Sequence, residues 1–231
     1  MPSPTPSLRA TTWMAWLFVI GSACFAVGVP MSLNTSWAPT ISAAVFFVGS
    51  VFFTAASSVQ LRLAWRAGED AQGATTIGAL LSRAPAWTSS WVQWIGTVFF
   101  NVTTVAAWID VAGVEAVSNQ VIWRPDAVGS LLFLVSSAIS LMPDVRRHRH
   151  GHVRDRSWTI SVLNMVGSIF FGISAMGAYV IPASNELLNA SWANSGTFVG
   201  ALCFLAGAWL VIPRRTGARD ESRDSDGRIS R

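Results

Sequence analysis

Residues 13–33 read Trp-Met-Ala-Trp-Leu-Phe-Val-Ile-Gly-Ser-Ala-Cys-Phe-Ala-Val-Gly-Val-Pro-Met-Ser-Leu, without one charged side chain. The charge-free stretch is longer still, with 52 residues between Arg9 and Arg62. A bilayer crossing takes about 20 predominantly apolar residues, roughly 17–25. This stretch therefore holds two crossings, at 13–33 and 39–63, turned at Asn34-Thr35-Ser36. Four more gaps follow: 26 residues from Arg83 to Asp110, 17 from Asp126 to Asp144, 29 from Arg156 to Glu186, and 27 from Glu186 to Arg214. Each fits one crossing, at 91–111, 125–142, 157–181 and 193–212. The expected fold class is all-α: a polytopic membrane protein with six transmembrane helices arranged as three repeated helical hairpins.

Composition agrees. The 231 residues are 52% hydrophobic and 12% charged, against roughly 25% charged in soluble domains. Six crossings use about half the chain, since each takes about 20 residues. Little remains for a soluble enzyme, a DNA-binding module or a disulfide-rich secreted domain. Cys24 and Cys203 both fall inside expected helices, where small packing residues belong. The net charge of +4 invites nucleic-acid binding, but its distribution argues against that partner. All sixteen basic residues are Arg, in short runs beside the apolar segments, and no basic stripe with interleaved aromatics exists. The absence of Lys, with many Ala and Arg, suggests a GC-rich bacterial genome and a bacterial cytoplasmic (inner) membrane.

Orientation follows from the arginines. Fifteen lie on the side of the N-terminus and only Arg124 lies opposite, so the positive-inside rule puts both termini in the cytoplasm. The apolar run from Trp13 exceeds the 7–15 residues of a cleaved signal, so it reads as a retained helix. The resulting organisation is a cytoplasmic tail (1–12), hairpin 1 (13–66), a cytoplasmic loop (67–90), hairpin 2 (91–149), a basic loop (150–156), hairpin 3 (157–215) and a disordered charged tail (216–231). The loop contains a short amphipathic stretch at 75–83 that could lie on the membrane surface.

The hairpins share a pattern. Odd-numbered helices carry Ile20-Gly21-Ser22-Ala23-Cys24-Phe25, Ile95-Gly96-Thr97-Val98-Phe99-Phe100 and Val166-Gly167-Ser168-Ile169-Phe170-Phe171. Even-numbered helices open with Trp37-Ala38-Pro39-Thr40, Trp123-Arg124-Pro125-Asp126 and Trp192-Ala193-Asn194-Ser195. Small residues at Gly21, Gly96 and Gly167 let two helices approach closely in lipid. Trp anchors the outer interface. Pro39 and Pro125 suit a first helical turn, where Thr40, Asp126 or Ser195 could satisfy orphan N–H groups. Three parallel units suggest a pseudo-threefold bundle about the membrane normal.

The last hairpin, with Val166-Gly167-Ser168-Ile169-Phe170-Phe171, then 198–207 (Phe-Val-Gly-Ala-Leu-Cys-Phe-Leu-Ala-Gly) and Arg214, resembles the YrhK-like family of small bacterial membrane proteins. The middle copy shows the related run Gly129-Ser130-Leu131-Leu132-Phe133. The resemblance implies a helical-hairpin domain, in as many as three tandem copies. It implies no chemistry.

Polar groups inside a bilayer are the first place to seek function. Gln93, Thr97, Asn101 and Thr104, with Trp108, lie on one face of the third helix by their spacing. Asn164 and Ser168, with Ser161 and Gly172, repeat the theme on the fifth. Such groups act as interhelical hydrogen-bond glue or line a path for a small neutral solute. A continuous polar cavity through Asn101 and Asn164 would favour a channel or transporter. A dry Gly/Phe core would favour a structural or partner-binding membrane protein. Asp110 and Asp126 fall at outer helix ends with Arg124 as a candidate partner, and Asp126 and Asp144 read as solvated acids at the two ends of the fourth helix. The basic run Arg146, Arg147, Arg149, Arg154 and Arg156 suits contact with anionic lipid headgroups. His148, His150 and His152 alternate within it, but the arginines oppose a cation, so no metal is expected. No catalytic constellation or cofactor motif appears, so the chain does not read as an enzyme.

Overall fold

A computed structural model of the chain describes residues 8–72, 85–149, 155–184 and 186–213, without the side chains of 68–72 and 148–149. In chain order the elements are α1 (Leu8–Leu33), α2 (Pro39–Gln72), α3 (Pro85–Val111), α4 (Asn119–Arg149), α5 (Arg156–Gly177), β1 (Val180–Ile181), β2 (Glu186–Leu187) and α6 (Ala190–Val211). All six helices are long and apolar enough to cross a membrane. A helix satisfies its own backbone N–H and C=O groups, which is what an apolar run in lipid requires. The outward surface is apolar, with Val27, Val48, Val98, Leu131, Ile169 and Leu202 exposed, as lipid-facing positions are.

The helices form a closed ring in chain order. Each packs against its sequence neighbours, and α1 meets α6. One end of the bundle carries the start of α1, the end of α6 and the facing ends of α2, α3, α4 and α5 (the terminal face). The other carries the three hairpin turns (the turn face).

Several helix limits differ from those expected. α1 begins at Leu8, inside the segment read as a tail. α2 continues to Gln72 and α3 starts at Pro85, which shortens the expected loop from both sides. The amphipathic stretch at 75–83, the basic loop at 150–154 and the tail at 216–231 lie outside the described residues. α4 starts at Asn119, so Pro125 lies inside it and not in its first turn. Pro125 offers no N–H to the Val121 carbonyl. The next carbonyl, Ile122 O, accepts a hydrogen bond from Thr103 Oγ1 of α3 at 3.0 Å. A neighbouring helix thus serves the backbone near the proline, which is how prolines persist in membrane helices.

α5 stops at Gly177 and does not reach Ile181. Ile181 precedes Pro182, and a residue before proline disfavours the helical region. Val180 and Ile181 instead pair antiparallel with Leu187 and Glu186. The turn between α5 and α6 is therefore a small hairpin, tied down by Leu188 N donating to Tyr179 O at 2.7 Å. Asn189 caps α6 by accepting from Trp192 N at 2.9 Å. Ser195 does not take that role, because its hydroxyl donates back to Ser191 O at 2.5 Å.

Candidate functional site

The centre of the bundle is built from six phenylalanines, one per helix. Phe25, Phe53, Phe100, Phe133, Phe171 and Phe204 form a single buried cluster with Ala26 and Ala201. Each sits four residues after a glycine: Gly21, Gly49, Gly96, Gly129, Gly167 and Gly200. The residue after each glycine is small and sealed from solvent: Ser22, Ser50, Thr97 and Ser168 at 0%, Ser130 at 2%, and Ala201 at 0% exposure. Even-numbered helices thus carry the same Gly-small-x-x-Phe pattern as odd ones.

Within each hairpin the two glycines face each other. A Cβ on Gly21 would lie 3.0 Å from Gly49 O, and one on Gly49 would lie 3.1 Å from Gly21 O. The Gly96–Gly129 pair (3.2 and 3.1 Å) and the Gly167–Gly200 pair (3.1 and 2.9 Å) repeat this. The partner's phenylalanine covers each glycine, as Phe53 does Gly21 and Phe133 does Gly96, both at 2.8 Å from that Cβ position. A side chain at any of these sites would push the helices apart or displace a ring. Gly21, Gly96 and Gly167 therefore sit at the closest helix–helix approaches, with Gly49, Gly129 and Gly200 as their counterparts.

Helix direction sorts the rings into two layers. Odd helices run toward the turn face, so Phe25, Phe100 and Phe171 lie on that side. Phe53, Phe133 and Phe204 lie toward the terminal face. The lower three all touch one another, with centroids 5.7–6.2 Å apart for Phe133–Phe204, Phe53–Phe204 and Phe53–Phe133. Rings also meet between layers, as Phe100–Phe133 at 5.1 Å and Phe171–Phe204 at 5.2 Å, largely edge to face. This is the geometry that aromatic quadrupoles favour. The result is a dry plug across the axis.

The polar residues of α3 and α5 lie in seams around this plug. Asn101 Nδ2 donates to Thr54 Oγ1 of α2 at 2.8 Å, and Asn101 Oδ1 is buried without a partner. Thr104 meets Ser50 of α2 at 2.8 Å. Thr97 turns back to Trp94 O at 2.7 Å. Gln93 Oε1 accepts from Ser136 of α4 at 3.5 Å. Ser168 meets Ser137 of α4 at 2.8 Å. The Asn164 carbonyl accepts from Ser137 at 3.3 Å, while its side chain packs beside Gly207 of α6. The amides of Asn101 and Asn164 thus serve different seams, toward α2 and α6 respectively.

The seams obey one register. Ser50 and Ser168 stand one residue after a motif glycine, and their partners Thr104 and Ser137 stand eight after. In the α1–α6 seam the same positions hold Ser22 and Ala208. Ser22 Oγ is accordingly buried without a partner. Ser57, eight after Gly49, is likewise unpartnered.

Above the plug, the turn face opens into a cavity of ≈ 730 Å³, floored by Phe25 and Phe100 and lined from all six helices. Asp126 on α4 is the one charged residue in its wall. Asp126 is not a helix cap, because α4 begins at Asn119. Arg124 pairs with neither outer acid: its guanidinium donates to Gln120 Oε1 at 2.5 Å. Asp110 closes the α3–α4 turn by accepting from Val117 N at 3.0 Å. That turn also uses Gly113 at φ 67, a left-handed position that suits glycine.

At the terminal end of α4, Asp144 is buried at 5% exposure and is not the solvated terminus expected. It accepts from Ser161 Oγ of α5 at 2.5 Å and Ser157 Oγ at 3.3 Å, and it pairs with Arg147. Arg156 donates to Ile212 O of α6 at 2.7 Å. Two arginines of the basic run thus bind protein groups. Arg146 is exposed, while Arg154 and the side chain of Arg149 lie outside the described residues. So do the side chains of His148, His150 and His152.

The fold defines the class: with six helices long and apolar enough to cross a membrane among the described residues, this is a multi-pass integral membrane protein. Compared with family models, with curated proteins and with solved structures, the chain shows no match.

Proposed function

We propose that the protein acts as a closed structural or partner-binding membrane protein, with no solute path along its axis. The single observation that supports this is the plug of six phenylalanines set over paired glycines. A conducting pore needs polar groups or removable hydrophobic constrictions along a continuous lumen. Here the polar side chains bond between neighbouring helices, as packing glue does. In this reading the three hairpins are repeats of one unit around a pseudo-threefold axis, and the unit is YrhK-like. The membrane is the bacterial cytoplasmic membrane, with both termini inside and the turn face outside, in keeping with the arginine bias. Exposed arginines such as Arg146 meet anionic lipid headgroups.

Flux of ions and small neutral solutes into proteoliposomes tests the reading, with the wild-type chain set against Asn101→Leu. The expected result is flux equal to that of protein-free liposomes for both. Flux that exceeds the empty liposomes and falls in Asn101→Leu would overturn it in favour of a channel or transporter running along α3.

A further inference from the structure

The turn-face cavity is a different feature from the plug beneath it, and its chemistry is specific. It is large enough for a small ligand, since ligand pockets run from about 300 to 1,000 Å³. Its walls are mostly apolar and aromatic, with Phe46, Trp37 and Trp123 beside the Phe25–Phe100 floor. Trp123 is fixed in place: its indole Nε1 donates to Ala175 O at 2.8 Å, and its ring stands edge to face on Tyr179 at 4.9 Å. Into this cavity the protein brings one carboxylate, Asp126, only partly exposed.

That carboxylate has no hydrogen-bond or ion-pair partner among the described residues. The nearest basic residue in sequence, Arg124, is held by Gln120 on the exposed side of α4. The other outer acid, Asp110, is committed to a backbone N–H. Neutral hydroxyls such as those of Ser42, Thr103 and Thr197 share the cavity, but an ionisable acid with no opposite charge among membrane helices is costly and marks function by default. A single negative charge among aromatic faces is complementary to a single positive charge on an apolar body. The carboxylate supplies charge, and the rings supply cation–π attraction, which strengthens where water is excluded. A strongly hydrated metal ion would instead want several oxygen ligands, and no cluster of three metal-binding side chains occurs among the described residues.

We propose that the turn-face cavity binds a monovalent organic cation with an apolar body, an ammonium or phosphonium, with its charge against Asp126. The cation enters from the turn face and stops at the phenylalanine floor, so the site is one of binding and not of passage. That the cation stops at the floor rests on the closed-axis reading; binding against Asp126 does not, and dialysis and flux measurements tell the two failures apart.

The test uses the full chain in lipid nanodiscs and equilibrium dialysis of tetraphenylphosphonium, with empty nanodiscs subtracted. The expected result is saturable binding to one site. Asp126→Asn should weaken it at least tenfold, Asp126→Glu should retain it, and Asp110→Asn should leave it unchanged. Ala43→Trp, which intrudes on the cavity from α2 and keeps the carboxylate, should weaken it. Triphenylphosphine oxide, similar in shape but uncharged, should bind at least tenfold more weakly to the wild-type chain. Absence of saturable binding by the folded wild-type chain would overturn the proposal. So would equal binding by Asp126→Asn.

Discussion

Replacing Phe133 by Ala probes the plug at its most enclosed point. Phe133 is 1% exposed and touches Phe53, Phe100 and Phe204, with centroids 6.2, 5.1 and 5.7 Å away. It also covers Gly96, where a Cβ would lie 2.8 Å from its ring. In water, Phe→Ala in a core costs about 3–5 kcal/mol. In lipid the transfer part of that figure is largely absent, because the unfolded reference is also apolar. The cavity part remains. Truncation removes roughly 100 Å³, and at about 24 cal/mol per Å³ the void costs about 2 kcal/mol. Three lost ring pairs at the lower end, about 0.5 kcal/mol each, add about 1.5. The expected loss is about 4 kcal/mol, read from reversible unfolding in mixed micelles. Phe198→Ala is the control: Phe198 is 37% exposed, so its loss should stay within about 0.5 kcal/mol. Five rings still block the axis, so Phe133→Ala should remain impermeable. Equal stability of the two variants would refute the argument that the plug holds the bundle together.

Four other substitutions follow from the same contacts and can be read in the same unfolding assay. Gly200→Ala forces a methyl group against the Phe171 ring and Gly167 O, and should destabilise by about 1–3 kcal/mol. Gly172→Ala meets nothing within 4 Å and should stabilise α5 by up to about 1 kcal/mol. Asp144→Ala strands the Ser157 and Ser161 hydroxyls and should cost about 1.5–3 kcal/mol, the range for hydrogen bonds to a charged group, while loosening the α4–α5 seam to proteolysis at the terminal face. Ala208→Ser offers Ser22 the partner that Ser168 has in the α4–α5 seam, and should stabilise by about 0.6–2 kcal/mol.

The six helices were legible because charge is so costly in lipid that its absence marks each crossing. The charge-free 52 residues between Arg9 and Arg62 and the later gaps located all six. Helix ends were less so. Pro125 reads as a first-turn residue, yet α4 begins at Asn119, with the Thr103 hydroxyl of another helix bonded to the Ile122 carbonyl nearby. The two-residue strands at 180–181 and 186–187 are too short to leave a periodic signal, although the Ile181-Pro182 step warned that α5 could not run so far.

The site was only partly legible. The spacing of Gln93, Thr97, Asn101 and Thr104 shows a polar face on α3, but their partners, such as Thr54 and Ser50, come from other helices. Asp144 looks the same in sequence whether its helix end meets water or the serines of α5. The plug had an available signal. Gly-small-x-x-Phe occurs at 49–53, 129–133 and 200–204 as well as in the odd helices, and alignment of the even helices on their glycines would have exposed it. That all six rings meet needs the antiparallel pairing of each hairpin, which only the packed bundle supplies.

The most direct test of the closed axis is accessibility to a membrane-impermeant thiol reagent, in a Cys24→Ala, Cys203→Ala background. Ser174 lines the turn-face cavity, while Ser168 is 0% exposed beside the plug. The account predicts that Ser174→Cys reacts from the turn face and that Ser168→Cys reacts from neither face. Comparable labelling of Ser168→Cys from either side would mean that water reaches the centre, and the closed-axis account would be wrong.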